Sequence, residues 1–433
     1  MDMRAFLVLS ALALFTLACQ TAATDEKPTI QKLVKIDRSR YAVHPKEAVS
    51  VWRGMHYIGE GLVREETESF MAQSDTPEDP KVRRSTDNGR TWSGWTGKPK
   101  IVTHEKGARI YWGGGAPFYD VVSGLHVAVW LRQTHYENVY HNQCFYRLSS
   151  DDAETWSEPK QLTYEEGAPF DPDNPLDPEF IWRNEVYPGN NMIRHSNGTL
   201  IWPGAAANVP YENKEGKSYH PWVAADAKSI GSLCFLATWN SEAKDYDWKA
   251  GKPVWVPLSV SSRGLMEPEV AEIKDGRVLI IWRGSDTPET QGRKWFSVSE
   301  DGGMTLSPVQ ELKYDDGTRF HSPSSFHRMI RWSVNGRLYW IGNICDAPPS
   351  GNSPRYPLII AEVEEIIPAL KRDTVTVIDY RRPEDSPKLQ LSNFSLLENR
   401  ETHTLEIYLT RLGADPGDFW GSDAYRYTLR LVE

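Results

Sequence analysis

The chain has 433 residues, a formal net charge of −10, 17 tryptophans and 19 tyrosines. That acidic balance argues against nucleic acid as a partner. Beyond the first twenty residues no segment approaches the roughly 18 consecutive apolar residues of a membrane span.

At the N-terminus, Arg4 precedes an apolar run from Ala5 to Phe15 that ends in small residues. This is the pattern of a secretory signal, too short to cross a bilayer. Thr16-Leu17-Ala18-Cys19 resembles a bacterial lipobox, which would make residues 1–19 the signal and Cys19 a lipidated N-terminus attached to a membrane. Cleavage after Ala23 is the competing reading. Either way the protein is expected to be exported, to the periplasm, the cell surface or the medium. The remaining cysteines, Cys144, Cys234 and Cys345, form neither a disulfide framework nor a zinc pattern and are expected as small buried hydrophobes.

From residue 30 to 433 one unit recurs: a turn with Gly or Asn, then an alternating apolar strand. The clear copies are VVSGLHVAVWLR (121–132), RHSNGTLIWPG (194–204), IKDGRVLIIWRG (273–284) and WSVNGRLYWIGN (332–343). Weaker ones are VREETESFMAQ (63–73) and ENRETHTLEIYLTR (398–411). Asn-Gly and Asp-Gly between alternating apolar residues are hairpin signals, because both turn positions need positive φ. Six copies at roughly 69 residues each match four-stranded blades. The best helical stretch, VEEIIPALKR (363–372), is interrupted by Pro368. The fold class is therefore all-β, a single six-bladed β-propeller expected to be a monomer. An N-terminal strand near 30–36 should close the ring with the last strands, since exposed edges would otherwise remain.

A second string punctuates the repeat: STDNGRTW (85–92), SSDDAETW (149–156) and SEDGGMTL (299–306). Each follows a third strand, so each is the turn between third and fourth strands. Asp87, Asp151 and Asp301 can accept backbone N–H bonds inside it. Gly89 and Gly302 relieve positive-φ strain, and Ala153 is a lesser substitute. S-x-D-x-G-x-T-W resembles the Asp-box of the sialidase-like, or BNR-repeat, superfamily, and the likeness covers essentially the whole mature chain. In that superfamily the box is structural and lies away from the active site.

Strand direction then locates a working rim. Starts of first strands, ends of second strands and starts of third strands share the rim opposite the Asp-boxes, where a ligand pocket is expected. Reading first-strand starts at 55–62, 112–119, 186–193, 265–272, 321–328 and 391–398 puts His56, Tyr57, Glu60, Tyr187, Glu267, His321 and Asn393 on it. Second-strand ends carry Gln73, Arg132, Arg283, Asn343 and Arg411, third-strand starts carry His141, Lys294 and Arg355, and Asp75 is a further rim acid. Glu267 and Arg283 flank one hairpin and should lie side by side, as an ionised pair or as a local salt bridge. MEPEVAEIKDGRVLIIWR resembles the sialidase segment with the catalytic glutamate and second triad arginine, which implies those roles for Glu267 and Arg283. Arg355 resembles the third triad arginine. The first triad arginine and the nucleophilic tyrosine have no match, since the corresponding segments read His56-Tyr57-Ile58-Gly59 and LSNFSLLE.

Converging arginines favour a carboxylated ligand. Three functions follow. The first is an exo-acting, sialidase-like glycoside hydrolase on a terminal anionic sugar, using Glu267 with a second acid, Glu60 or Asp75. The second is a uronate lyase or dehydratase with Tyr57, Tyr187, His56, His141 or His321 as the base. The third is a glycan-binding propeller without catalysis, served by the many aromatics. In each case the partner is an acidic oligosaccharide or polysaccharide. No cofactor or metal signature is present: rim carboxylates such as Asp75 or Asp79 are oxygen ligands of the kind calcium takes, but their spacing has no EF-hand-like pattern.

Overall fold

The computed structural model describes residues 34–98, 102–137, 139–206, 230–257 and 259–432; the signal segment and Cys19 lie outside them. Six antiparallel sheets follow one another along the chain, each a blade of a β-propeller. Blade one comprises Ser50–Tyr57, Arg64–Met71, Glu78–Ser85 and Thr96–Gly97. Blade four, the most regular, comprises Met266–Glu272, Val278–Arg283, Lys294–Ser299 and Gln310–Glu311. Blade two departs from four strands: Val102–Glu105 adds itself beside Ala108–Gly114. The 363–372 stretch is a turn between two strands of blade five, Leu358–Glu364 and Ala369–Leu370, as Pro368 requires.

The ring closes as expected. Val34–Ala42 pairs antiparallel with Ala424–Leu431, from Val34 opposite Leu431 to Ala42 opposite Ala424. Arg38 of that closing strand reaches Asp379 of blade five at 3.5 Å. Asp379 and Asp385 are both held by the buried guanidinium of Arg411 in blade six, and the Tyr427 hydroxyl donates to Asp379.

Between blades two and six the joints are apolar. Ile281, Phe296, Trp340 and Ile359 fill the four–five joint, and Tyr339, Leu358, Ile407 and Leu429 the five–six joint. The joint between blades six and one is different. Among the described residues Met55, Leu397 and Tyr408 form a small buried cluster there, with Tyr41, Tyr57 and Trp92 packed against it. Buried charge does the rest: Arg64 donates to Glu406 at 3.0 Å, while Arg53 and Arg83 grip the fully buried Glu66 at 2.8 and 2.6 Å. Removing one member of such a group strands the others in a low dielectric.

The Asp-boxes fill the third turns. Ser85 donates to Asp87, which accepts from the backbone N–H of Thr91 at 2.8 Å and from its hydroxyl at 2.6 Å. Asp151 and Asp301 repeat the pattern with Thr155 and Thr305. Gly89, Ala153 and Gly302 adopt φ of 87°, 63° and 72°. Trp92 folds back, donating from its indole to the Gly89 carbonyl. The three free cysteines, Cys144, Cys234 and Cys345, are buried.

Two outcomes follow. Arg411→Ala takes from Asp379 and Asp385 the buried guanidinium they share, leaving only the part-exposed Arg38 and Arg382 near them, and should lower unfolding free energy by about 3 kcal/mol, read by denaturant titration. The Asp151 carboxyl is held down to about 2 from 3.8, chiefly by hydrogen bonds from the Thr155 hydroxyl and amide. Its stabilisation is present above the unfolded value and is lost as pH falls from about 4 toward 2. Calorimetry should therefore show Asp151→Asn melting below the parent at pH 7, with the gap closing in that acid window.

Candidate active site

Blade four carries the centre of the site. Met266 pairs with Arg283 and Glu269 with Ile281, so the ladder slips by one residue between them. This β-bulge re-aims Glu267, whose φ is 46°, a left-handed value that a non-glycine residue adopts at a cost. Its Oε1 accepts from Arg283 Nη1 at 2.5 Å. Its Oε2 is buried and has no hydrogen-bond partner among the described residues. Burial pushes the Glu267 carboxyl up, but Arg283, Arg355 and Lys294 together outweigh it and hold the group below its ordinary value. Glu267 is therefore a carboxylate at neutral pH with one oxygen unspent.

The cations around it are fixed by hydrogen bonds. Arg283 also donates to Ser324 Oγ at 2.8 Å and to Asn352 Oδ1 at 3.3 Å. Arg355 donates to the carbonyls of Asn352 and Ser324 and to Gln390 Oε1 at 3.0 Å. Lys294, fully buried at the start of the third strand, donates to the Ser325 carbonyl. Burial, with repulsion from Arg283 and Arg355 and against attraction from Glu267, pushes its ammonium down to about 7. The burial of Arg355 and its repulsion from Arg283 lower its guanidinium to about 10. In both cases burial is the larger cause and repulsion from Arg283 adds to it.

Tyr187 packs beside Ala205, Ile230 and Met266. Its phenol is pushed up by burial and by the charges of Glu267 and Asp75, so it stays protonated. Asp75 sits in the turn between Arg64–Met71 and Glu78–Ser85 of blade one, on the same rim. Its charge is felt by both Tyr187 and Arg355, which makes it the second carboxylate facing the cluster. Glu267, Arg283, Arg355, Tyr187 and Asp75 are thus brought together.

Other expected rim residues are elsewhere. The first strand of blade one is Ser50–Tyr57, so 55–62 is its end and not its start. The charged second strand REETESFM concealed this register, because it lacks an apolar stripe to align against. His56, Tyr57 and Glu60 therefore lie on the Asp-box rim. The Tyr57 hydroxyl donates to Asn88 inside the box turn at 2.6 Å and accepts from Arg64 at 2.9 Å. His56 is paired across the strands with Glu65, and burial lowers its imidazole to about 4. Glu60 is exposed in the loop near Arg400.

Arg132 is buried within the long second strand of blade two, over Phe170 and Phe180, and donates to Thr134 Oγ1 at 2.6 Å. His141 is 1% exposed, bonded to Glu185 at 2.7 Å and set edge-on to Trp182. His321 pairs through its backbone with Cys345, and among the described residues its ring has no hydrogen bond to the cluster. Asn393 is exposed at the rim ahead of blade six with φ of 58°. No repeating pattern marks Arg263, Ser324 and Asn352, which lie in irregular turns; Lys294, a third-strand start expected on the rim, is buried at the site. Among the described residues no group of three or more His, Cys, Asp or Glu side chains could hold a metal ion.

Comparison with known proteins agrees with this architecture. The BNR repeat-like domain family matches residues 67–365. No protein of curated function matches the sequence. Among solved structures, a protein of unknown function from Dyadobacter fermentans DSM 18053 superposes with a TM-score of 0.56 at 14% identity, over 92% of this chain and 99% of that one. NanB, solved with Optactamide, gives 0.54 at 12%, over 87% and 67%. A Hadza microbial sialidase gives 0.51 at 14%, over 88% of this chain but 65% of that one, so the chain spans less than two thirds of that sialidase. At such identities the likeness concerns the fold. With the Asp-boxes, the six blades and the family match in agreement, the chain belongs to the BNR repeat-like domain family and folds as a sialidase-like β-propeller.

Proposed function

We propose that this protein is an exported, exo-acting glycoside hydrolase that cleaves at a terminal carboxylated sugar of an oligosaccharide or polysaccharide. The observation that carries the reading is the unspent Oε2 of Glu267, buried among Arg283, Arg355 and Lys294. A carboxylate kept ionised and strained at a rim is suited to attack, or to activate water against, an anomeric carbon. The surrounding guanidiniums suit an anionic substituent that orients the ring. Asp75, across the rim, supplies the second carboxyl, which takes a proton from solvent water and passes it to the leaving oxygen. Water then adds across the cleaved bond.

Glu60, the other acid weighed for that role, sits among Asp-box-rim groups and is set aside. Elimination needs a base beside the clamp. His56 and Tyr57 lie on the opposite rim, His141 is spent on Glu185, and the negative charge of Glu267 works against Tyr187 as a phenolate. Hydrolysis is the chemistry these positions favour. Export rests on the N-terminal pattern, with Cys19 lipidated or the chain cleaved after Ala23.

Glu267→Gln keeps the shape of the side chain and removes its charge. Turnover of acidic oligosaccharides should fall at least about a hundred-fold while the far-ultraviolet circular dichroism of the folded protein is retained. Full activity would remove Glu267 from the site. Lys294 loses its charge as pH rises through about 7. Affinity for an anionic sugar should therefore weaken between pH 6 and 9, and Lys294→Met should flatten that profile in a calorimetric titration.

A further inference from the structure

The bulge that aims Glu267 is held from outside its own strand. Glu267 and Pro268 together stand opposite Trp282 in the slipped ladder. A residue before proline prefers extended backbone, yet Glu267 is held at φ of 46°. Pro268 has no N–H with which to continue the ladder. The first strand of blade three is also broken, into Val186–Pro188 and Ile193–Arg194, both paired with Leu200–Ala206. Residues 189–191, between the two pieces, reach across to blade four.

Gly189 permits the approach. A Cβ there would lie 2.3 Å from the Pro203 carbonyl oxygen and 2.8 Å from that of Pro268. The Asn190 backbone N–H then donates to the Pro268 carbonyl at 2.8 Å. The Asn190 side chain donates from Nδ2 to the Glu267 carbonyl and to the His327 carbonyl ahead of blade five, each at 3.1 Å. The Glu269 carboxylate lies beside the same amide. Asn191 grips the strand just past the bulge: Nδ2 donates to the Val270 carbonyl at 2.7 Å, and Oδ1 accepts from the Val270 N–H at 3.0 Å. One side-chain amide thus stands in for a strand neighbour and pins the register. Asn190 pins the bulge itself.

We infer that Asn190 is the positioning residue for Glu267: by holding the Glu267 carbonyl from blade three, it fixes the backbone from which the carboxylate meets Arg283. It acts through the main chain and not on the reacting atoms. That this position serves catalysis rests on the hydrolase reading; that Asn190 sets it does not. Without the donor, the backbone at Glu267 relaxes toward the extended form and the carboxylate leaves the Arg283 guanidinium. Burial raises the Glu267 carboxyl and Arg283 is the chief group that lowers it, so the loss of that pair moves its titration upward.

The test uses the full chain labelled with carbon-13 glutamate, the Glu267 carboxyl signal being the one that Glu267→Gln lacks. In Asn190→Ala that signal should titrate at higher pH than in the parent, and a crystal structure should show Glu267 out of the left-handed region and parted from Arg283. On an oligogalacturonide or an oligoglucuronide, kcat should fall about ten- to a hundred-fold with KM within about two-fold. Asn190→Ser keeps one short donor and should recover part of each effect; it carries the same readouts if Asn190→Ala does not fold. A lower melting temperature with the Glu267 titration and backbone unmoved would overturn the assignment and leave Asn190 a brace between blades. A parent that releases no sugar from either substrate would count against the hydrolase reading, while the Glu267 titration and backbone would still decide the role of Asn190.

Discussion

An antiparallel blade has two ends, and alternate turns must fall on alternate ends. That constraint organises the molecule. Once the third turn of a blade is identified, the end of its second strand lies on the opposite rim. The Asp-boxes mark third turns at Asp87, Asp151 and Asp301, and Arg283 ends a second strand. The most polar and conspicuous string of the chain is thus a brace, and the chemistry gathers at the other rim.

At that rim a small backbone irregularity does much of the positioning. The slipped register between Met266 and Glu269 turns Glu267 against Arg283 and leaves one carboxylate oxygen unmatched. Burial alone would push this acid up, and the adjacent cations reverse the effect. Burial, with repulsion from the same cations added to it, brings the Lys294 ammonium down to about 7. A pocket with surplus positive charge in an acidic protein stabilises anions locally without attracting them nonspecifically over its whole surface.

Much of this was legible in the sequence, for identifiable reasons. Gly and Asn turns between alternating apolar strands give the six blades, and the sixteen-residue hairpin span puts Glu267 beside Arg283. Blade one escaped because its second strand, REETESFM, carries glutamates where the other blades carry an apolar stripe; they serve the buried ion pairs of the one–six joint. With the strand register slipped, His56, Tyr57 and Glu60 were set on the wrong rim. Arg263 and Asn352 escaped for another reason. They sit in irregular turns, where position comes from hydrogen bonds such as that between Ser285 and Ser261, and no periodicity announces them.

The most direct test of hydrolysis at the Glu267 rim is product analysis of an acidic oligosaccharide treated with the protein in heavy-oxygen water. The account predicts a released terminal acidic sugar that gains one water and carries the heavy oxygen, with none formed by Glu267→Gln. An unsaturated product without added water, or an oligosaccharide left intact, would contradict it.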